Sequence, residues 1–334
     1  MTDTDLVLDV SSLQVAFRSN RGSVTALREV SFQLHAGKTL ALVGESGSGK
    51  SVTSLAIMGL LPRNGSVTGG RIRYRRRDGN PLDLTGSSEQ ELREMRGAEI
   101  AMIFQEPMSS LNPLFTVGDQ ISEMLLLHGS MDAAARRKRT LEMLELVEIP
   151  AAASRLDTYP HELSGGMRQR IMIALAMVCN PALLIADEPT TALDVTIQAQ
   201  ILDLMRRLQK ELGMSILFIT HDMGVVAEMA DDVAVMYAGA VVEQASAKDL
   251  FAQTRHPYTQ GLLASIPQPG RREDEFLVSI PGSVPPLNAM PEGCAFSPRC
   301  SFASGACGHP MSLREIAPGH QVACVKAEED VAHV

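Results

Sequence analysis

The sequence contains no hydrophobic run long enough to cross a membrane. Its most apolar stretch, residues 171–178, is far shorter than the ~20 residues that a transmembrane helix needs. The N-terminus, MTDTDLVLDV, is acidic and lacks a basic segment followed by an apolar one, so we expect no secretory signal. If the protein acts at a membrane, we therefore expect it to dock on other subunits.

Positive charge is also in short supply. The 334 residues carry 30 Lys and Arg against 39 Asp and Glu, a net charge of −9. Such a chain lacks a general electrostatic attraction to nucleic acid or anionic lipid, so we expect no nucleic-acid partner. Hydrophobic residues at 45% and charged residues at 21% are ordinary values for a globular protein, which excludes wholesale disorder and allows a sizeable core.

Cysteine is scarce and unevenly placed. The chain has five, and four of them lie between residues 294 and 324. Without an export signal we expect these thiols to be reduced. Residues 266–324 are also rich in Pro and Gly and show little periodicity, so we expect a small Cys-rich appendage with little secondary structure.

The hydrophobic pattern predicts an α/β chain. Residues 5–43 are strand-rich, residues 88–180 are mostly helical, and short strands alternate with helices from residue 183 onward. Alternation of this kind predicts a mainly parallel sheet. The predicted strands and helices of that part are strands 39–43, 100–104, 183–187, 215–220 and 233–237 and helices 51–61, 117–128, 133–147 and 197–212.

Residues 44–51, GESGSGKS, match the phosphate-binding pattern G-x-x-x-x-G-K-[ST] in full, between a predicted strand and a predicted helix. Glycines let successive N–H groups point at phosphate oxygens, and a helix N-terminus favours an anion. Lys50 would reach the β- and γ-phosphates of ATP, and Ser51 would ligate Mg²⁺. The residues predicted to bind ATP here are Gly44, Glu45, Ser46, Gly47, Ser48, Gly49, Lys50 and Ser51.

An acidic pair follows the apolar strand 183–187. Asp187 and Glu188 would stand at the carboxyl edge of the sheet, where ligands of open α/β sheets bind. We expect Asp187 to hold Mg²⁺ and Glu188 to activate the attacking water as a general base. Such pairs also begin ordinary surface loops, and it is the phosphate-binding pattern upstream that favours the catalytic interpretation.

Residues 163–170, LSGGMRQR, resemble the signature sequence of ATP-binding cassette (ABC) ATPases, usually LSGGQ, with Met167 in place of Gln. The order of Gln105, Asp194 and His221 fits the same family. The resemblance implies a P-loop NTPase cassette with a mixed sheet, N-terminal antiparallel strands and a helical subdomain at about 105–180. It places the cassette in residues 1–265 and a Cys-rich C-terminal domain in residues 266–334.

The resemblance also implies roles for single residues. Phe17 would stack on adenine, although a core phenylalanine is an equal interpretation. Gln105 would contact Mg²⁺ or the attacking water, and His221 would contact the γ-phosphate and orient Glu188. These implied roles complete a hydrolytic set with Glu188 as the base.

The signature further implies a second ATPase subunit. Ser164, Gly165 and Gly166 would contact the γ-phosphate of ATP bound to the facing cassette, and Asp194 would bridge the two cassettes. We expect a related protein as that partner, with a second copy of this chain as the alternative. Closure of the pair would rock two transmembrane permease subunits between inward-facing and outward-facing states.

Three further segments resemble the dipeptide and oligopeptide importers: residues 105–118, HPYT at 256–259 and IPG at 280–282. They imply import of short peptides, a permease docked at the cytoplasmic face of the inner membrane, and an extracytoplasmic solute-binding protein as an indirect partner. Nickel importers share much of this sequence, so nickel or another small solute is an alternative cargo. A soluble ABC ATPase acting on nucleic acid or the ribosome is a further alternative.

The clustered cysteines suggest a metal centre. Cys294, Cys300, Cys307 and Cys324 follow the spacing C-x5-C-x6-C-x16-C, without the short knuckle of zinc fingers. Four thiolates in a segment without a core of its own suggest that metal–ligand bonds supply the fold. The resemblance implies a 4Fe–4S cluster; zinc and free thiols are the alternatives. Cys179, on an apolar helix, is interpreted as a core thiol.

Overall fold

The structure is a computed structural model that describes residues 5–19, 22–105, 110–191, 193–266 and 279–327. The strands of this part are β1 (Leu6–Ser19), β2 (Gly22–His35), β3 (Thr39–Val43), β4 (Gly65–Arg75), β5 (Pro81–Asp83), β6 (Ile100–Ile103), β7 (Leu183–Asp187), β8 (Ser215–Thr220), β9 (Asp232–Tyr237), β10 (Ala240–Ser246), β11 (Arg314–Ala317) and β12 (His320–Val322). The α-helices are α1 (Lys50–Ile57), α2 (Glu89–Met95), α3 (Val117–His128), α4 (Ala133–Leu146), α5 (Ala152–Arg155), α6 (Gly165–Met177), α7 (Val195–Leu212), α8 (Met223–Met229), α9 (Ala247–Ala252) and α10 (Pro257–Ala264).

The larger sheet has the strand order β11-β12-β10-β9-β3-β8-β7-β6. The five strands from β9 to β6 are parallel to one another, and β10, β12 and β11 continue the sheet in antiparallel pairing. Every residue of β3, β7 and β8 is buried, as continuous apolar runs covered on both faces require. The parallel core aligns the carboxyl ends of its strands along one edge.

The smaller sheet is antiparallel, with the order β2-β1-β4-β5. Its long strands alternate buried and exposed residues because one face packs on the protein core. A single hydrophobic cluster joins the two sheets and includes Leu8 and Phe32 of the smaller sheet together with Leu40 and Ile219 of the larger one. The predicted N-terminal antiparallel strands are therefore confirmed.

A helical layer formed by α3, α4, α5 and α6 lies between β6 and β7 in the chain. Its apolar side packs in one cluster with α7, where Ile201, Met205 and Leu208 recur at helical spacing. Asp194 accepts the N–H of Ile197 at 2.9 Å and begins α7. The helix ends at Gly213, which has a left-handed φ of 66°.

The C-terminal segment is joined to the cassette more closely than the sequence suggested. Instead of an appendage with little secondary structure, its strands β11 and β12 extend the larger sheet beside β10. Phe296 packs in one hydrophobic cluster with Tyr237 and Tyr258 of the cassette. The segment lacks a core of its own because its apolar side chains are buried in that of the cassette. Residues 267–278 and 328–334 lie outside the described part.

Most predicted elements have the expected bounds. The predicted strands 39–43, 183–187 and 215–220 and helix 117–128 coincide with β3, β7, β8 and α3. Helix α1 stops at Ile57 rather than at 61, since Gly59 turns left-handed with φ 63° and packs against Leu92. Among the described residues, no helix combines the length and apolar character needed to cross a bilayer.

A buried side-chain hydrogen bond ties the C-terminal segment to the sheet. Glu243 of β10 is fully buried and accepts the Nε2 of His320 of β12 at 2.8 Å, along with the backbone N–H groups of Arg255 and His256. Removal of this carboxylate would leave three buried donors unpaired.

Glu243→Ala should therefore lower the free energy of unfolding by about 3 kcal/mol. Equilibrium urea unfolding of the full chain measures the change. Gln244→Ala, on the same strand but half-buried, is the control and should cost under about 1 kcal/mol. Equal unfolding midpoints for the two variants would contradict this account of the segment's attachment.

Candidate functional site

The predicted functional residues converge at the carboxyl edge of the parallel strands. Gly44 follows β3, Gln105 lies two residues after β6, Glu188 follows β7 and His221 follows β8. Adjacent strands β3, β8, β7 and β6 thus deliver four loops to one place. This is where ligands bind in open α/β sheets.

The loop 44–51 is organised around Lys50, whose side chain is buried. Its Nζ donates to the carbonyl oxygens of Gly44 at 2.7 Å and Glu45 at 3.0 Å. Burial lowers the pKa of Lys50, and the negative charges of Glu188, Asp187 and Glu45 oppose that effect. A buried ammonium held by two carbonyls inside a curled loop is a cation placed to receive an anion.

Close packing fixes the shape of this loop. A Cβ on Gly44 would lie 2.2 Å from the carbonyl oxygen of Met236 and 2.9 Å from Ser48 Oγ. The N–H of Gly239 donates to the Ser48 carbonyl at 2.8 Å, so the turn between β9 and β10 holds the loop from behind. Gly49, with φ 106°, then begins α1.

Asp187 ends β7 as a buried carboxylate. Burial raises its pKa, the hydroxyls of Ser51 and Ser54 lower it by hydrogen bonding, and the charge of Glu188 raises it further. Its Oδ1 is buried and has no hydrogen-bond partner among the described residues. An oxygen of this kind beside a serine hydroxyl fits a hard cation such as Mg²⁺, which takes oxygen ligands and keeps several waters.

Glu188 is held by three side chains. Its Oε2 accepts Gln105 Nε2 at 3.0 Å and Thr191 Oγ1 at 2.9 Å, and its Oε1 lies 3.1 Å from Nδ1 of His221. Burial acts to raise the pKa of Glu188, but hydrogen bonds from His221 and Thr191 and the charges of His221 and Lys50 outweigh it and lower the pKa. The carboxylate is therefore ionised at neutral pH.

The backbone at Glu188 is unusual, with a left-handed φ of 48°. Non-glycine residues seldom adopt this conformation, and it concentrates at functional sites. Because the Glu188 carboxylate is ionised, Nδ1 of His221 is the donor in their contact. The imidazole is 60% exposed, so its Nε2 remains available to a ligand.

The structure leaves other predicted residues apart from this cluster. The ring of Phe17 is half-buried and lies over Gly65, against the core. Ser164 is exposed, and its hydroxyl accepts the N–H of Met167 at the start of α6. Gly165 is likewise exposed, and Asp194 caps α7. Residues 106–109, which belong to the segment 105–118 that resembles the peptide importers, lie outside the described residues.

Comparison with protein families matches residues 27–191 to the ABC transporter family. Residues 242–307 match the oligopeptide/dipeptide transporter C-terminal region. A putative peptide import ATP-binding protein of Brucella ovis is 51% identical over 98% of this chain and 98% of its own length. The chain belongs to the ABC transporter family.

Further comparisons agree with that assignment of the cassette. The dipeptide transport ATP-binding protein DppD of Bacillus subtilis is 50% identical, over 98% of this chain and 96% of its own. Among solved structures, the dimeric ATP-binding cassette MJ0796 in a post-hydrolysis state with ADP and Pi is 28% identical with a TM-score of 0.62, and covers 72% of this chain and 98% of its own. The predictions of the family, of the cassette fold and of an ATPase are confirmed.

Sequence reasoning missed several residues that shape the ABC site. Thr191 donates to Glu188, and Gln169 of α6 donates through Nε2 to the carbonyl of Pro189, which ties α6 to the turn that follows β7. Tyr258 Oη accepts the N–H of Glu45 at 2.8 Å. Tyr258 lies in the HPYT segment that carries part of the resemblance. In that segment His256 caps α10 and Pro257 is its first residue. Nothing local in the sequence pointed to Gln169.

The four cysteines of the C-terminal segment are close enough together for their charges to interact. Burial raises the pKa of Cys324 to about 11, and the charges of Cys294, Cys300 and Cys307 add to that effect. The N–H of Cys294 donates to the carbonyl of Cys307 at 2.8 Å. Within the described ranges, no three His, Cys, Asp or Glu side chains are arranged to hold a metal ion. No metal centre, whether of zinc or of a 4Fe–4S cluster, is therefore evident at these cysteines among the described residues.

Substitution of Gly44 tests the packing of the phosphate-binding loop. Gly44→Ala would force a Cβ into the carbonyl of Met236, so we expect ATP affinity to fall at least about tenfold. Gly213→Ala is the control: φ there is also left-handed, at 66°, but nothing lies within 4 Å of the added Cβ. Calorimetric titration of the full chain with ATP measures both; unchanged affinity in Gly44→Ala would refute the loop assignment.

Proposed function

We propose that this chain is the ATP-hydrolysing subunit of an ABC importer that takes short peptides into the cell. The observation that carries hydrolysis is the Glu188 carboxylate, ionised and held by Gln105, His221 and Thr191 beside the Lys50 loop. The peptide cargo is supported by the relatives, two of which are named for peptide import and dipeptide transport. It is supported also by the match to an oligopeptide/dipeptide transporter region.

The loop 44–51 is the proposed triphosphate site. Backbone N–H groups of the loop and the Lys50 ammonium would bind the β- and γ-phosphates, and the dipole of α1 adds to the attraction. Ser51 and Asp187, with Gln105, would hold Mg²⁺, which neutralises charge on the phosphates when bound. Phe17 would meet adenine from β1.

In the proposed reaction, water attacks the γ-phosphorus in line with the leaving oxygen. Glu188 accepts the water proton on a carboxylate oxygen, a general-base contribution of about 10²–10⁴ in rate. His221 keeps Glu188 Oε1 in place through Nδ1 and presents Nε2 toward the γ-phosphate. Gln105 fixes the other oxygen of Glu188, which sets the direction of attack.

A second cassette would complete the site. Ser164 and Gly165 are exposed at the N-terminus of α6, a helix of 13 residues whose dipole favours an anion. We therefore propose that Ser164, Gly165 and Gly166 contact the ATP that is bound to a facing cassette. Asp194 would lie at the contact between the two cassettes. A related ABC ATPase subunit is the proposed partner. In this chain, the proposed cassette comprises residues 1–265 and the proposed C-terminal domain comprises residues 266–334.

The permease would dock on an apolar groove near Gln105. A cavity of about 530 Å³ is lined mainly by apolar side chains, among them Leu60, Met102, Phe104, Met124 and Leu175. Leu60 and Phe104 are exposed large hydrophobic residues, which mark a contact surface in an acidic chain. Two permease subunits at the cytoplasmic face of the inner membrane would fill this groove in the two cassettes, and a solute-binding protein would act on their far side.

We further propose that Cys294, Cys300, Cys307 and Cys324 hold a 4Fe–4S cluster. The proposal is supported by the match of residues 242–307 to the oligopeptide/dipeptide transporter C-terminal region, and by the closeness that lets the charges of the other three thiols raise the pKa of Cys324. The cluster would supply further bonds within the segment, in addition to the strand pairing of β11 and β12. Zinc and free thiols are the other outcomes of its test.

Glu188→Gln tests the catalytic assignment. The amide keeps the shape and cannot accept the proton, so ATP should bind as in the wild type while the hydrolysis rate falls at least about 100-fold. Phosphate release and ATP titration of the assembled importer measure the two quantities. Glu211→Gln, at an exposed position of α7, is the control and should leave both unchanged.

Uptake assays in cells distinguish a dipeptide cargo from nickel. Cells carrying Glu188→Gln should lose uptake of a radiolabelled dipeptide, whereas wild-type cells retain it. If the wild type takes up nickel ions but no dipeptide, the peptide assignment is refuted while the hydrolytic one stands. Wild-type turnover in Glu188→Gln would instead remove Glu188 from the role of base.

Anaerobic purification tests the cluster. The wild-type chain should be brown, absorb broadly near 400 nm and contain about four iron atoms. Cys300→Ser should lose that absorbance, whereas Cys179→Ser, at a thiol remote from the group, should keep it. A colourless wild type that contains one zinc ion, or no metal, would refute the cluster.

A further inference from the structure

Glu45 is the one residue of the loop 44–51 that carries a negative charge, and the protein engages all of its polar groups. Its N–H donates to Tyr258 Oη at 2.8 Å, and its carbonyl accepts Lys50 Nζ at 3.0 Å and the N–H of Ser48 at 3.2 Å. Its carboxylate accepts both terminal nitrogens of Arg299, at 2.6 Å and 3.0 Å. The position of the loop is thus set from outside by two residues far along the chain.

Arg299 is held as firmly as the residue that it binds. Its side chain is 4% exposed, and its Nε donates to the carbonyl of Pro281 at 2.8 Å. One terminal nitrogen also donates to the carbonyl of Ile280 at 3.2 Å, and the guanidinium lies 5.8 Å from the centre of the Tyr237 ring. A planar guanidinium that is paired on both edges cannot move without breaking several bonds.

The charge of Glu45 matters because of where it stands. Burial lowers the pKa of Lys50, and the carboxylate of Glu45 is close enough to be among the charges that oppose this effect. The negative charge of Glu45 therefore also acts on the region that a triphosphate would occupy. An unpaired carboxylate there would repel the phosphates, and a bidentate guanidinium removes the repulsion.

We propose that Arg299 is a positioning residue for ATP binding, which neutralises Glu45 and holds the loop 44–51 in its open shape. The inference rests on the proposed ATP site and adds to it a requirement for the C-terminal segment. Arg299 acts through Glu45 rather than by contact with nucleotide. The side chain that completes the phosphate site thus comes from the turn Ser297–Arg299, 254 residues away from Glu45 in sequence.

Arg299→Ala in the full chain, assembled with its partner subunits, tests the proposal. The KM for ATP should rise at least about tenfold, while kcat stays within about twofold of the wild type, because Glu188 and its partners are untouched. Addition of Glu45→Gln in the same chain should bring KM back to within about threefold of the wild type. Arg314→Ala, an exposed arginine of the same segment, is the control and should leave KM unchanged.

The rescue separates charge neutralisation from packing. If Arg299→Ala raises KM and Glu45→Gln does not restore it, Arg299 only packs the segment and the proposal is wrong. An unchanged KM in Arg299→Ala would also refute the proposal. If Arg299→Ala does not fold, Arg299→Lys replaces it: a smaller rise in KM that Glu45→Gln removes supports the proposal, and any other result refutes it. Absence of ATP hydrolysis in the wild type would refute the proposed function instead.

Discussion

The structure depends on holding the polar backbone of the loop 44–51 in a curled shape around the buried Lys50 ammonium. Residues 44–51 curl so that carbonyls turn toward Lys50, and the buried ammonium of Lys50 binds two of them. Such a loop buries little apolar surface of its own, so its shape must be imposed by neighbours. The turn at Gly239 holds Ser48, Met236 excludes any side chain at Gly44, and Tyr258 holds the backbone of Glu45.

The carboxyl edge of the parallel strands also carries negative charge, close to the positive charge of Lys50. Asp187 and Glu188 are adjacent in sequence but stand in different environments: burial raises the pKa of Asp187, whereas hydrogen bonds and nearby positive charge lower that of Glu188 despite its burial. Asp187 Oδ1 has no hydrogen-bond partner within the described part of the chain, whereas Glu188 is oriented by three side chains. Two neighbouring acids can thereby serve different roles.

The C-terminal segment contacts the loop 44–51 as well as the larger sheet. It enters the larger sheet through β12, it is tied to β10 by the buried pair of Glu243 and His320, and its aromatic ring at Phe296 packs beside Tyr237 and Tyr258. These contacts set the position of Arg299 and so of Glu45. A segment that looks like an addition in sequence is therefore part of the support of the phosphate loop.

Local chemistry in the sequence was enough to predict the phosphate loop, the buried parallel strands and the acidic pair, because each depends on the spacing of neighbouring residues. The resemblance of LSGGM, Gln105 and His221 to one family supplied the rest of the expected site. Only the tertiary structure revealed Thr191, Gln169, Tyr258 and Arg299 as supports, since their partners lie far away in the chain or across a turn. Spacing encodes what adjacent residues do together, whereas contacts between distant segments are decided by how the sheet and its helices pack.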